Sequence, residues 1–259
     1  DHPVDAERFL PLVEQPAQQP QRLLALPLAA SAQPAATTRG FVGVYGGVQS
    51  GDGASSQAGT FTVYEEAGSF TASQGYDGGG VLSIGGGVKV WRNLAVGAAF
   101  SRVSDEQAGT VSVTAPHPLL FNTPRTETAD QAGLAHDETA VHLQALYVVT
   151  VGDRFELAVG GGPSFISVKH DFITSAGFSE AGAPFSAITL SNVTVSQAEK
   201  TATGFNVGAE AAFYVTRNLG LGGFVRWAGA KADLEVGNGQ TVELDLGGPQ
   251  VGGGVRLRF

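Results

Sequence analysis

From residue 40 to residue 259, apolar and polar positions alternate with a period of two, broken at intervals by short polar turns. The closing stretch GGPQVGGGVRLRF shows the pattern: Val251, Val255, Leu257 and Phe259 occupy one set of positions, with Gln250, Gly252, Gly254, Arg256 and Arg258 between them. Successive side chains leave a pleated strand on opposite faces, so this spacing predicts a strand with one greasy face. Three other stretches repeat one unit: VKVWRNLAVGAAF, YVVTVGDRFELAVGGG and FYVTRNLGLGGFVRW. Each is an alternating run, a tight turn carrying Arg92, Arg154 or Arg217, and a second alternating run, which is the signature of a hairpin. Long segments rich in Ser, Thr, Gly and acidic residues separate the units at 49–77, 104–139 and 171–200, and a short link, GNGQ, covers 237–240. Connections therefore alternate short and long. The runs predict eight strands with cores at 40–48, 80–91, 93–103, 139–151, 154–169, 201–216, 218–232 and 242–259, arranged as an up-and-down meander.

Alternation also assigns faces. With Phe259 outward, Val251, Val255 and Leu257 join it, and Arg256 and Arg258 turn inward. The same rule sends Leu82, Ile84, Val88, Val141, Leu143, Val159, Phe165, Phe205, Val207, Leu221 and Val225 outward. It sends Lys89, His142, Glu156, Glu210 and Arg226 inward. Trp91, Tyr147, Phe155, Phe213 and Trp227 fall near strand ends, where interfacial aromatic girdles sit in membrane barrels.

Composition decides what surrounds the greasy face. Charged residues make up 15% of the chain, below the roughly 25% usual in soluble domains. No apolar run reaches the ~20 residues of a spanning helix. A soluble barrel needs its bulky apolar residues inside, and the other face carries too little charge to meet water. In lipid every backbone amide must be paired within the protein, so a spanning sheet has to close. The expected fold is all-β: an eight-stranded antiparallel up-and-down transmembrane β-barrel over residues 40–259. The 37 glycines suit its bore, which at eight strands is just wide enough for side chains. A net charge of −9 argues against nucleic acid as a partner. The absence of cysteine removes disulfides and thiolate chemistry.

The last strand resembles the C-terminal assembly signal of bacterial outer-membrane barrels, on Val251, Val255, Leu257 and Phe259. Residues 40–259 resemble the small barrels of the OmpA, OmpX and OmpW type. That resemblance implies an outer-membrane location, extracellular long hairpins, periplasmic termini, and contact with lipid and with the barrel-assembly machinery.

Residues 1–39 differ in texture. Prolines at 3, 11, 16, 20, 27 and 34 exclude long regular structure, and a short helix is expected at 5–14. Asp1 in first place indicates processing or trimming. The segment RLLALPLAASAQPA resembles an apolar stretch before a small-residue cleavage site. The acidic, proline-rich stretch before it favours a retained periplasmic arm over a targeting remnant. Such an arm suits wrapping a protein partner or neighbouring subunit.

Candidate chemistry is sparse. The inward charges Lys89, Glu156, Glu210, Arg226, Arg256 and Arg258 must pair in a narrow bore, giving either a salt-bridged plug or a gated polar pore. His136–Asp137 and His170–Asp171 are candidates to meet at the extracellular rim, where His and Asp activate water in some outer-membrane proteases. His142 as a lipid-deacylating base needs a serine on the outer face, and no His-x-Ser spacing occurs. No set of metal ligands converges, and no cofactor is implied. Leu119, Leu120, Phe121, Phe172, Phe178 and Phe185 lie in the long segments, either as contact surface or packed above the barrel. The expected function is non-enzymatic: a structural, adhesive or complex-forming barrel, with a small OmpW-like channel for small or apolar solutes as the alternative.

Overall fold

The computed structural model describes residues 39–236 and 240–259. Residues 1–38, most of the stretch assigned above to an arm, lie outside the described residues, as do 237–239 of the GNGQ link. The strands are β1 (Gly40–Val63), β2 (Glu66–Trp91), β3 (Leu94–Ala115), β4 (Arg125–Val151), β5 (Phe155–Glu180), β6 (Ile188–Tyr214), β7 (Leu219–Val236) and β8 (Gln240–Arg258). Each pairs antiparallel with its neighbour, and β1 closes on β8. Among the described residues no helix is long and apolar enough to cross a membrane, which leaves crossing by strands open.

The strands are far longer than expected, up to 27 residues. The segments 49–77, 104–139 and 171–200 are therefore not loops. They continue the same strands well past the roughly 9–11 residues a bilayer needs, and they turn over in short tips such as Tyr64–Glu65. Both residues of that tip have positive φ, 54° and 60°, the conformation of a two-residue hairpin turn matched to strand twist.

Along β3 and β7 the pleat holds its phase while hydrophobicity changes sides. On β3 the outward positions run Leu94, Val96, Ala98, Phe100 and then Arg102, Ser104, Glu106; the inward ones run Ala95, Gly97, Ala99, Ser101 and then Val103 and, higher, Val111 and Val113. On β7, Leu219, Leu221, Val225 and Trp227 give way outward to Lys231, Asp233 and Glu235, while Phe224 and Arg226 give way inward to Ala228, Ala232, Leu234 and Val236. The turn-side half is thus a belt, apolar outside. The other half is a crown, polar outside and apolar within.

Pairing also changes at that boundary. Among the described residues β1 and β8 pair only up to Gln49↔Gln250, β6 and β7 only up to Phe205↔Gly229, and β4 and β5 only up to His136↔His170. Above these points the crown splits into a sheet of β1–β4, the β5–β6 hairpin and the β7–β8 hairpin. Sequestering apolar faces holds them together, as in packed sheets. Val111, Val113, Leu134 and Ile173 form one cluster, with Phe61, Phe70 and Phe178 against it. Ile166, Val168, Phe172, Leu234, Leu244 and Leu246 form another, which seats β7–β8.

Candidate functional site

The belt's bore mixes polar side chains with small apolar clusters such as Phe41, Leu146 and Val148, and inner-face glycines make room for the bulky ones. A Cβ on Gly43 would lie 2.4 Å from the Tyr45 hydroxyl, and one on Gly252 would lie 2.6 Å from the Phe224 ring. Small residues opposite large ones are how narrow barrels fill.

At the turn end, Arg256 is the hub. Its guanidinium donates to Glu156 at 2.7 Å and Glu210 at 2.8 Å, lies over the Phe41 ring at 3.6 Å, and is 1% exposed. Lys89 adds a second cation to Glu156 at 3.5 Å. Arg258 is not part of this lumen network. It donates to the turn carbonyls of Arg217 and Asp153 and covers Tyr214, at the mouth of the bore. Its position at the strand end, past the last level that encloses a side chain, is the reason.

One level up, His142 bridges Ser101 (Nε2, 3.0 Å) and Ser164 (Nδ1, 2.8 Å). Asn206 donates to Ser164, and Gln144 donates to Asn206. Serines therefore do flank His142, across strands rather than along one. All three residues are buried in the bore, on the side away from lipid, so the group presents no deacylating face to an acyl ester.

Arg226 takes the next level. It donates to Gln250 (2.9 and 2.7 Å) and Ser83 (3.3 Å). Gln250 donates to Gln49, and Gln49 donates to Glu138 (3.0 Å), Tyr76 (3.2 Å) and the Gly247 carbonyl (3.3 Å). Glu138 in turn accepts the Gly247 amide and meets His136 Nε2 at 3.1 Å. A hydrogen-bonded column therefore runs from Arg226 out of the belt into the crown. Along the whole bore, in this column and in the turn-end network below it, three cations (Lys89, Arg226, Arg256) stand with three carboxylates (Glu138, Glu156, Glu210). Gln49, Tyr76 and Glu138 were not singled out in the sequence, and Gln250 only as a polar position of the last strand. Gln49 and Glu138 fall on the inward set once their strands are extended, whereas Tyr76 turns inward only because β2 shifts register near Gly78.

His136 and His170 meet as register partners, Nδ1 to Nδ1 at 2.8 Å, but inside the crown and buried, not at a rim. One of these nitrogens must carry a proton and the other must accept it. Burial first, and the neighbouring His136 second, lower the His170 pKa to about 4, so His170 is neutral near pH 7. Asp137 and Asp171 lie on the other face by alternation. Asp137 meets Arg102 and Ser104, and Asp171 accepts from the Ala135 amide and Gln197. Neither His136–Asp137 nor His170–Asp171 forms a dyad. Among the described residues no group of three or more acidic, His or Cys side chains converges as metal ligands.

At the far end three tips are clasped by one ion pair. Arg125 donates to Glu180 at 2.5 and 2.8 Å, to the Phe185 carbonyl at 2.9 Å, and to the Pro116 carbonyl. Tyr64 reaches Glu180 at 3.2 Å, and Glu66 accepts the Asn122 amide at 2.9 Å. Hydrogen bonding to Arg125 lowers the Glu180 pKa. His117 Nδ1 accepts the Leu119 and Leu120 amides, both at 3.1 Å, and Nε2 donates to the Pro184 carbonyl at 3.2 Å. The chain at 116–122 is thus pinned on every side. From it Leu119, Leu120 and Phe121 project, 73%, 55% and 84% exposed.

The other contact candidates of the long segments do not project. Phe172 is fully buried, Phe178 packs on the crown core, and Phe185 is half-buried against His117. The crown has a hydrophobic interior to take them. Trp91, Tyr147, Phe155 and Phe213 gather at the turn end of the belt, and Trp227 stands at the opposite edge with Phe205, ring centroids 4.9 Å apart. Phe259, 66% exposed, completes the closing strand beside Gly40, whose carbonyl accepts its amide. Arg92 lies over Trp91.

Fold and facing define the class: a small eight-stranded transmembrane β-barrel, extended by a folded crown. The sequence matches no protein-family model and no curated protein. Solved structures with a similar strand path include Neisserial surface protein A, at 12% identity and TM-score 0.44, over 85% of this chain and 97% of that one. The outer membrane protease OmpT of Escherichia coli gives 10% and 0.45 over 85% and 97%. The attachment invasion locus protein Ail of Yersinia pestis, solved with the heparin analogue sucrose octasulfate, gives 11% and 0.36 over 84% and 99%. At such identities the likeness concerns fold alone.

Proposed function

We propose that the protein is a non-conducting, non-enzymatic outer-membrane barrel that acts as a rigid stalk for a contact surface. The crown faces outward from the cell and the short turns face the periplasm. The observation that carries this reading is the filled bore. From Arg256 near the mouth to His170 in the crown, the bore is crossed by networks of hydrogen-bonded side chains, and the void beside Gln144, Glu210 and Arg226 is about 10 Å³. That is the volume of about one water-sized probe. Above it the apolar crown is closed by its own packing. Such a bore does not support the alternative of an open channel for ions.

The clasped tip supports the contact role. Leu119, Leu120 and Phe121 are large apolar groups held out by hydrogen bonds, so the order needed for binding is already present. Exposed aliphatic and aromatic side chains of this kind act as anchors in partner pockets. The partner class is a protein surface or a neighbouring subunit. The first test is single-channel recording in planar bilayers. The expected result is no reproducible conductance in the native barrel. Substituting Arg226→Ala, Gln49→Ala and Gln250→Ala together, which empties the middle of the column, creates openings. Steady openings in the native protein overturn the reading.

A further inference from the structure

At the upper edge of the belt, a cavity of about 740 Å³ lies at the base of the β7–β8 hairpin, within the range of small-molecule sites. Its lining joins two kinds of residue. Phe205, Trp227 and Pro249 belong to the lipid-facing set, whereas Tyr76, Ala228 and Leu246 face inward and are almost fully buried. The wall permits this because pairing stops here on both flanks of the hairpin, above Gln49↔Gln250 and above Phe205↔Gly229. The backbone at the base is shaped to match. Gly247 and Gly248 have φ of +86° and +139°, conformations reserved for glycine. The Gly247 amide and carbonyl are both taken by Glu138 and Gln49, so the bend is fixed from inside.

We infer that this cavity holds one acyl chain of a lipid from the surrounding membrane. Its mouth is framed by belt residues, so what stands in front of it at that depth is hydrocarbon. Aromatic rings at Phe205 and Trp227 flank the entrance, where amphipathic rings sit at the headgroup level. The polar rim fixes the kind of lipid. Lys231 is bound to Glu243 at 2.6 Å and faces Asp245 at 3.7 Å, leaving one uncompensated negative charge. A zwitterionic or uncharged headgroup fits this rim, and a bare carboxylate is repelled.

The chain's two tryptophans supply the readout. Trp227 lines the cavity, and Trp91 lies at the opposite end of the belt. The full-length barrel carrying Trp91→Phe, and separately Trp227→Phe, is titrated in maltoside micelles with phosphatidylcholine brominated in its acyl chains. A parallel titration uses brominated stearic acid. Trp227 is expected to show saturable quenching by the phosphatidylcholine, half-complete at about tenfold lower mole fraction than for Trp91, with weaker quenching by the acid. Gly53→Leu fills the site. A Cβ there meets nothing closer than Tyr76 at 3.7 Å, so the barrel should fold and lose only the saturable component. Ala230→Leu is the second filling variant. Equal, linear quenching of both tryptophans overturns the inference, as does saturable quenching that survives both variants or appears with the acid alone. None of these outcomes bears on conductance or on the crown tip.

Discussion

Belt and crown are built by the same eight strands, yet they solve opposite problems. In the belt the solvent is lipid, so apolar side chains point out and the bore collects ions that neutralise one another. In the crown the solvent is water, so Leu234, Val111 and Phe172 turn inward and Lys231, Asp233 and Glu243 turn outward. The lesson lies in what stays fixed. No bulge resets the alternation on β3 or β7 at the boundary; the sequence alone exchanges the two faces. Backbone pairing follows the solvent too. A belt in lipid must close without a free edge, whereas a crown in water tolerates the three seams because water or side chains satisfy its edges.

The largest test of this contrast removes the hub of the belt. Arg256→Leu leaves Glu156 and Glu210 with Lys89 alone in a buried bore, at a cost of about 3–5 kcal/mol. Arg125→Leu removes the corresponding clasp of the crown. Glu180 is 22% exposed in its side chain and regains water, so the cost is nearer 1–3 kcal/mol. Denaturant unfolding of the two variants in the same micelle checks the order; equal losses would mean that the bore is as wet as the crown tip.

The next test exploits a single strand. Leu221 and Asp233 share the outward face of β7, one in each region. Leu221→Lys places an ammonium in lipid between the turn-end interface and the midplane, at about 1–4 kcal/mol. Asp233→Lys alters only a hydrated surface and should stay within about 0.5 kcal/mol. Should both be neutral, the belt is not immersed in hydrocarbon, and the assignment of outside and inside fails.

Acid distinguishes the regions in another way. His170 has its pKa lowered to about 4 from 6.5. The unfolded chain takes up this proton first, so the stability that His170 confers is complete above pH 6.5 and falls away as pH drops toward 4. The full loss is on the order of 3 kcal/mol and falls on the crown. Hydrogen exchange of amides at 166–173 should accelerate between pH 7 and pH 4.5 once corrected for the intrinsic rate. His170→Asn should flatten that dependence, and a pH profile that survives the substitution assigns the effect to another group.

The belt was almost wholly legible in the sequence. Bulky outward residues against small or charged inward ones leave an unmistakable period, and the turns at Arg92, Arg154 and Arg217 mark its lower edge. The crown was hidden because its inward residues are modest, Ala72, Val111, Ala176 and Ala232 among them, and its outward residues resemble those of loops. Once a stretch such as 171–180 is taken for a loop, Phe172 can be read as contact surface or as packing above the barrel, and nothing in the pattern decides for the core position it holds. His136–Asp137 and His170–Asp171 were raised as candidates to meet at a rim; the two histidines meet below it, inside the crown, because the strands above them had not been recognised. The seams and the cavity were beyond reach for a different reason: each depends on where a partner strand leaves, and alternation within one strand carries no record of its neighbour.

The smallest structural effect belongs to the tip, and it separates folding from function most cleanly. Leu119, Leu120 and Phe121 touch little of the crown, since their support comes from His117, Arg125 and Glu66 acting on the backbone around them. Replacing the three together with serine should therefore change unfolding by no more than about 0.5 kcal/mol each, as for other exposed positions. His117→Ala instead frees the backbone and leaves the apolar groups in place. If the projecting residues are a pre-ordered anchor, both variants weaken capture of the partner from the native envelope by cross-linking, the triple variant more than His117→Ala. Two results would speak against the anchor. Capture unchanged in the triple variant moves the contact surface off the tip, and capture unchanged in His117→Ala alone shows that the rigid turn contributes nothing to binding.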